Sequence, residues 1–206
     1  GVGEGGEISI FYDPMIAKLV THAPTREEAI DAQARALDAF AIDGIRHNIP
    51  FLATLMQHER WRDGRLSTGF IAEEFPEGFS APHPEGEVAA RIAAVAAAVD
   101  HLHNTRKRAI SGQMREQDAV RFSRERVVML GGEPVPVTVE DIDGGLAVVF
   151  ADGRTWTVES DWVPGRPVWT GSVGGAEIAA QVRPILNGFA IAHAGAHAAV
   201  RVYTKR

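Results

Sequence analysis

The chain has 206 residues, 45% of them hydrophobic and 23% charged, with a formal net charge of -6. That is enough apolar material for one large or two small domains, and two are expected. The acidic balance argues against a protein whose main task is holding nucleic acid, and the lack of cysteine excludes disulfides, thiolate catalysis, zinc-thiolate sites and iron–sulfur clusters.

No apolar run approaches the roughly 20 residues that a membrane-spanning helix needs, and the N-terminus has neither a basic patch nor an apolar signal core. A soluble protein is expected. The opening Gly1 to Gly6 run, without an initiator methionine, predicts a piece of a longer chain.

Ile8, Ile10 and Tyr12 alternate with Ser9 and Phe11, and Ile16 to Val20 is a second short apolar run, so two strands are predicted. Thr25 and Glu28 have capping-box spacing, and Ala29, Ile30, Ala36, Leu37 and Phe40 recur at helical spacing. A helix from Thr25 to about Phe40 follows. A short strand over 41–46, a helix capped by Asn48 with Pro50 in its first turn, and a short helix near 68–75 complete a β-β-α-β-α reading of residues 1–76.

Pro76, Gly78, Pro82, Pro84 and Gly86 have the composition of a connector, which places a domain boundary there, between units 1–80 and 85–206. In the segment 85–105, Val88, Ile92, Val95, Val99 and Leu102 step by fours and threes, with alanine at most other positions. Between Ile92 and Val99 there is no polar side chain, so the predicted helix is apolar nearly all round and enclosed by protein. Residues 106–123 are irregular and predict an ordered loop or an interaction segment.

From Arg124 to residue 204 the apolar period becomes two. Gly131-Gly132, Gly144-Gly145, Asp152-Gly153, Pro164-Gly165, Gly174-Gly175, Asn187-Gly188 and Gly195 separate about eight short antiparallel strands, a meander that closes into a barrel or sandwich. An all-round apolar helix is what such a barrel could hold inside. The fold class is therefore α+β: a short β/α unit, then an eight-stranded antiparallel barrel around a long helix.

Gly1, Gly3 and Gly6 match G-x-G-x-x-G, but a strand is expected after them rather than a helix, which argues against a dinucleotide site. His101, His103, His193 and His197 lack a third ligand at a supporting spacing, so helix-end or solvent-facing histidines are expected rather than a metal site. Arg106, Lys107, Arg108, Arg115, Arg121, Arg124 and Arg126 form a local basic excess. A helix end with a solvated strand, a surface for a partner protein, and a polyanion site in a free-standing barrel module all remain open for it. No nucleophilic triad, carboxylate pair or phosphate loop appears, so on chemistry alone the chain reads as a binding module.

Phe11-Tyr12-Asp13-Pro14-Met15-Ile16-Ala17-Lys18-Leu19, Thr25-Arg26-Glu27-Glu28-Ala29-Ile30 and Ile42-Asp43-Gly44-Ile45-Arg46-His47-Asn48 resemble the closing stretch of biotin carboxylase domains, with His47 where many relatives have threonine. Arg65 to Ile71 and Phe75 to Phe79 resemble the continuation seen in alpha subunits of propionyl-CoA carboxylases. The remainder resembles the mediating (BT) domain of those subunits, in which a barrel wraps a long helix and a hook-like loop grips the carboxyltransferase beta subunit.

The resemblance implies a biotin-dependent acyl-CoA carboxylase of the propionyl-CoA type, with methylcrotonyl-CoA as the runner-up substrate. It implies biotin and ATP with magnesium in the full subunit and none bound by these residues, whose activity alone is expected to be nil. It places Asp13 and Lys18 on the wall of the carboxylase site. The hook, 106–123, is expected to carry the interface residues Arg106, Arg108, Ile110, Met114, Arg115, Gln117 and Val120. The implied partners are the carboxyltransferase beta subunit and the biotin carboxyl carrier domain of the same chain, without nucleic acid or membrane. The implied compartment is the bacterial cytoplasm or the mitochondrial matrix.

Overall fold

Thr25 and Glu28 start the first helix as their spacing predicts. In the computed structural model, which describes residues 3–9, 11, 15–108, 110 and 123–205, the Thr25 hydroxyl accepts from the Glu28 amide at 3.2 Å and the Glu28 carboxylate accepts from the Thr25 amide at 3.1 Å. Two of the helix's orphan donors are thereby satisfied. The helix, α1, spans Arg26–Ala39, and α2 (Ile49–Gln57), α3 (Glu59–Arg62) and α4 (Phe70–Glu74) follow. Asn48 stands at the N-cap of α2, but its backbone carbonyl, not its side chain, accepts the first bond, from Leu52. Ile30, Leu37, Ile49, Ala53, Leu55, Met56 and Phe70 form a small core of their own.

The strands expected before residue 47 are not formed among the described residues. Residues 15–23 and 41–43 form no ladder, because a strand needs a neighbour for its backbone groups and none of the described residues supplies one. Ile10 and residues 12–14 lie outside the described residues.

The long helix α5 spans Gly86–Arg108. It runs three residues further than the expected end at Thr105, so Arg106, Lys107 and Arg108 form its last turn rather than the start of a loop. Arginine and lysine are good helix formers, and their charge complements the helix C-terminus. Every residue from Ile92 to Val99 is buried, and Ile92, Val95 and Ala96 are fully so.

The enclosure is a closed barrel of β1 (Glu125–Leu130), β2 (Glu133–Ile142), β3 (Gly145–Phe150), β4 (Thr155–Glu159), β5 (Val168–Val173), β6 (Ala176–Ile185), β7 (Gly188–His193) and β8 (Ala196–Thr204). Each strand pairs with the next in antiparallel register, and β8 closes on β1 through Arg126↔Thr204 to Leu130↔Val200. The predicted turn residues fall between these strands except Gly145 and Gly188, which are the first residues of β3 and β7. Alternate residues point inward, among them Val128, Val139, Val148, Trp169, Ala180, Ile191 and Val200, and they pack on α5 in one core.

The direction of α5 defines two ends of the barrel. Its start lies near the β1–β2 turn, where a side chain at Gly131 would collide with His83; its finish lies near Arg126 of β1 and Asp141 of β2. The turns β1–β2, β3–β4, β5–β6 and β7–β8 therefore ring the entry end. The connections β2–β3, β4–β5 and β6–β7 ring the exit end, from which α5 leads into residues 109–122.

Val95 lies at the centre of the enclosed stretch, fully buried. Replacing it with Asp puts a carboxylate among apolar side chains at a cost of several kcal/mol, against a domain stability of about 5–15 kcal/mol. Val95→Asp is expected to abolish the cooperative thermal transition of the barrel, with Val95→Ala losing far less. A melting curve for Val95→Asp that matches the parent would place α5 outside the barrel.

Candidate docking site

At the exit end α5 changes from apolar to polar within one residue. Asp100 accepts from Arg126 Nε at 3.2 Å and from Asn104 Nδ2 at 2.8 Å, with the Arg126 side chain only 4% exposed. Burial pushes the Asp100 carboxyl above the usual aspartate range, while the Arg126 guanidinium pulls it back. Arg126 is thus an internal tie between the helix and β1, not part of a basic surface. His101 Nε2 lies 2.9 Å from Asp141 at the end of β2, a second tie on the neighbouring strand.

The connection from β4 to β5 folds over this mouth. Ser160 donates to the Thr170 carbonyl at 2.6 Å and accepts from the Trp162 amide at 3.0 Å. Trp162 is thereby turned inward, 6% exposed, with its indole N–H donating to the Arg166 carbonyl at 2.9 Å. The His103 ring lies 6.3 Å from the Trp162 ring and 5.4 Å from that of Phe189. Burial there, followed by the charges of Lys107 and Arg106, holds the His103 pKa below the usual histidine range. Beside it opens a cavity of about 400 Å³, bordered by His103, Trp162, Arg166, Arg183, Pro184 and Phe189.

The outer face of β6 carries the second polar assembly, where α1 meets the barrel. Gln181 Nε2 donates to the Leu37 carbonyl at 3.3 Å and the Phe40 carbonyl at 3.4 Å, so a barrel side chain caps the C-terminus of α1. Arg183 donates to the Ile42 carbonyl and pairs with Asp43 at 3.0 Å. Asp38 sits in the last turn of α1, where the helix dipole disfavours an anion, yet it is 8% exposed. It is held there by three contacts, accepting from the Ala194 amide at 3.0 and 3.1 Å and lying 2.9 Å from His193 Nδ1. Because His193 Nδ1 faces two acceptors, Asp38 and the Ala179 carbonyl at 2.9 Å, it carries the ring hydrogen.

The β7–β8 turn gains most from this. Ala194 has φ +51°, a left-handed conformation that costs a non-glycine residue roughly 1–2 kcal/mol, and its amide is the one that Asp38 holds. The next residue, Gly195, has φ +81° and lies so close to α2 that a Cβ would stand 2.8 Å from the Thr54 amide nitrogen. Only glycine fits there.

These facts revise the reading of the histidines. His193 is buried and paired rather than solvent-facing or at a helix end, whereas His197 is exposed on β8. Among the described residues no group of three His, Asp or Glu side chains could hold a metal ion.

Of the expected interface residues, Arg106 and Arg108 are exposed on the last turn of α5 and Ile110 is 61% exposed. Met114, Arg115, Gln117 and Val120 lie outside the described residues, as do Arg121 and Asp13. Lys18 is exposed in a segment without regular secondary structure. Sequence reasoning did not identify Asp38 or Gln181, and it singled out His193 without its buried partner. Asp38 carried a signal, being a polar residue eight positions after Ile30 on the buried stripe of α1; His193 carried another, continuing the inward alternation of Phe189 and Ile191.

The order of a helical unit and a helix-filled barrel matches two known families. The model of the propionyl-coenzyme A carboxylase BT domain matches residues 92–206, and that of the biotin carboxylase C-terminal domain matches residues 1–73. The chain belongs to the BT-domain family. It is 45% identical over 207 residues to the propionyl-CoA carboxylase alpha chain of Ruegeria pomeroyi, covering 100% of this chain and 30% of that protein. It is 35% identical over 198 residues to the mitochondrial propionyl-CoA carboxylase alpha chain of Caenorhabditis elegans, covering 88% of this chain and 27% of that one. The biotin carboxylase of Halalkalibacterium halodurans is 43% identical over 70 residues, covering 34% of this chain and 16% of that protein. The chain thus spans under a third of the length of these relatives.

Asp38 is the acceptor for the Ala194 amide and His193 Nδ1 at the seam between the region matched by the biotin carboxylase model and the BT domain, and leaving a buried donor without its acceptor costs about 1–3 kcal/mol. Asp38→Ala is expected to lose stability in that range by denaturant unfolding, with Asp38→Asn, which keeps one acceptor oxygen, losing less. Equal midpoints for Asp38→Ala and the parent would show that the seam does not depend on this carboxylate.

Proposed function

We propose that this chain is the part of a biotin-dependent acyl-CoA carboxylase alpha subunit that connects the carboxylase domain to its partner, with propionyl-CoA as the substrate of the whole enzyme. The carrying observation is the order of matches along the chain: the end of a biotin carboxylase domain, then a BT domain whose central helix leads out of the barrel into residues 109–122. The division at 1–80 and 85–206 is supported by two separate clusters of buried apolar side chains.

In this proposal the alpha subunit carboxylates biotin with ATP and bicarbonate, and the carrier domain of the same chain takes the carboxyl group to a carboxyltransferase beta subunit. Biotin, ATP and magnesium are assigned to other parts of the full subunit, with Asp13 and Lys18 on the wall of the carboxylase site. The compartment is the cytoplasm of a bacterium or the mitochondrial matrix. No helix among the described residues is long and apolar enough to cross a membrane.

The residues of this chain dock the beta subunit. Arg106 and Arg108, together with Ile110, Met114, Arg115, Gln117 and Val120, form the proposed grip: arginines supply several donors each and apolar side chains supply buried area, the two contributions that dominate protein interfaces. The polyanion reading loses support, because Arg126 is consumed inside the barrel and Arg124 lies 3.9 Å from Glu140.

Two outcomes are expected. The purified polypeptide alone cleaves no ATP in response to biotin and bicarbonate, and turnover above background would overturn that assignment. Replacing 110–117 with a Gly/Ser linker leaves the barrel folded, because β1 to β8 all lie outside the change, and abolishes co-elution of the full alpha chain with the beta subunit on size exclusion. Co-elution at parental affinity would move the docking site elsewhere.

A further inference from the structure

The cavity of about 400 Å³ beside His103 draws its lining from both units: from the segment after α1, from α5, from the β4–β5 connection, and from β6 and β7. Trp162, Pro167, Val182, Pro184 and Phe189 make its walls apolar. The surrounding groups are held in place by bonds within the chain. The Trp162 amide donates to Ser160 and its indole N–H to the Arg166 carbonyl, while the Arg183 guanidinium donates to the Ile42 carbonyl and pairs with Asp43. A preformed, mainly apolar pocket on which a few polar groups converge has the character of a small-molecule site, and its size falls in the range of about 300–1,000 Å³ usual for one.

The charged lining decides what kind of molecule fits. Arg166, Arg183 and Asp43 border the cavity, so two guanidinium groups stand against one carboxylate. Asp43 is committed to Arg183 at 3.0 Å. Arg166 has Asp161, which lies 3.8 Å away, is 85% exposed and stands outside the cavity lining, a contact worth little in water. The cavity therefore holds one positive charge in excess. His103 stands on the same cavity, and among the described residues its ring meets Trp162 and Phe189 but no hydrogen-bond partner. With its pKa held low by burial, that ring is neutral near neutral pH and offers one donor and one acceptor without a second charge.

We propose that this cavity binds a small monocarboxylate with an apolar, ring-sized body. The inference goes beyond the docking role and does not rest on it. One carboxylate balances the excess charge and can accept from the Arg166 fork and from the His103 ring N–H, while its apolar body displaces water from the aromatic and proline walls. A phosphate monoester, at about −1.5 to −2 near neutral pH, brings more charge than the cavity balances. Because both units supply the lining, the bound molecule holds the segment after α1 against the barrel.

The test is calorimetric titration of the full-length alpha chain with 3-phenylpropionate as the probe. Two variants change exposed positions on the cavity: Arg166→Gln removes the excess charge and Ala41→Trp fills the space, and their melting temperatures are compared with the parent first. The expected result is saturable one-site binding to the parent, weakened about tenfold or more by Arg166→Gln and lost in Ala41→Trp, with melting unchanged. The amide of the same acid, equal in shape and without charge, is expected to bind about tenfold more weakly. That comparison uses the parent alone, so it holds even where a variant melts early.

No saturable binding of the carboxylate to the parent overturns the proposal. Binding that survives both variants places the probe elsewhere on the alpha chain and overturns it as well. Equal affinity for acid and amide would show that the walls alone select the ligand, and tighter, Arg166-dependent binding of phenyl phosphate would make this a phosphate site; either result overturns the carboxylate assignment. None of these measurements involves the carboxyltransferase subunit, so the docking role stands or falls separately.

Discussion

An eight-stranded barrel leaves an interior about wide enough for its own side chains or one small ligand, and here it holds a helix. An α-helix with ordinary side chains is about 10–12 Å across, so the helix can enter only if its side chains are small and the strands meet its backbone closely. Ala93, Ala94, Ala96, Ala97 and Ala98 meet that demand, while Ile92, Val95 and Val99 fill the gaps between inward-facing strand residues. The same constraint accounts for the lack of any polar residue from Ile92 to Val99: every direction around the helix axis faces a strand. It also settles where polarity returns. At Asp100 the helix reaches the rim, and its first carboxylate meets Arg126 at once.

Because the helix and barrel bury one another, neither has an independent core, and closure leaves little open sheet edge, the shortest junction being β4–β5 with only Val158↔Val173 and Glu159↔Ser172 paired. Contacts with other parts of the protein must be made by side chains on the outer face or by the connections at the ends. The chain uses both. On the outer face, β6 presents Gln181 and Arg183 to the carbonyl groups of Leu37, Phe40 and Ile42 at and beyond the end of α1, of which the Leu37 carbonyl also accepts from the Phe40 amide. At the entry end, Asp38 holds the amide of a left-handed alanine, so the α1–barrel seam also supports an unfavourable turn. The glycine- and proline-containing connector therefore joins two units already tied by side chains, and connector composition alone does not make a flexible hinge.

The barrel was legible in the sequence because its signals are local. Period-two alternation and glycine-bearing turns identify each hairpin, and consecutive hairpins leave few topologies open. The enclosed helix was legible because a helical stretch that is apolar all round, and too short to span a membrane, has to be surrounded by protein. The strands expected near the N-terminus did not form among the described residues, since alternation reports a preference and not the presence of a neighbour. The Asp38–His193 contact joins residues 155 positions apart, and no periodicity in either segment names the other. What the sequence did carry was the anomaly on each side: a carboxylate on a buried helix face and an imidazole on an inward strand face. Two such anomalies of complementary chemistry are a reason to suspect a pair. Gln181 had no such signal, because a glutamine on an outward strand face is ordinary until a helix end is laid over it.

The basic excess between Arg106 and Arg126 shows how one composition divides into different tasks. Arg126 is internal and ties the helix to β1; Arg124 faces Glu140 across β1 and β2; Arg106 completes the last turn of α5 at the surface. Counted along the chain these residues look like one patch, yet their burial separates them, and only the exposed ones are available to a partner. The apolar residues of the exit rim show the reverse. Ile142, Val163, Leu186 and Tyr203 are far apart in sequence and ordinary one at a time, and only closure of the barrel brings them to one end. Closure thus pairs most of the strand edges within the barrel and gathers these connections where α5 leaves.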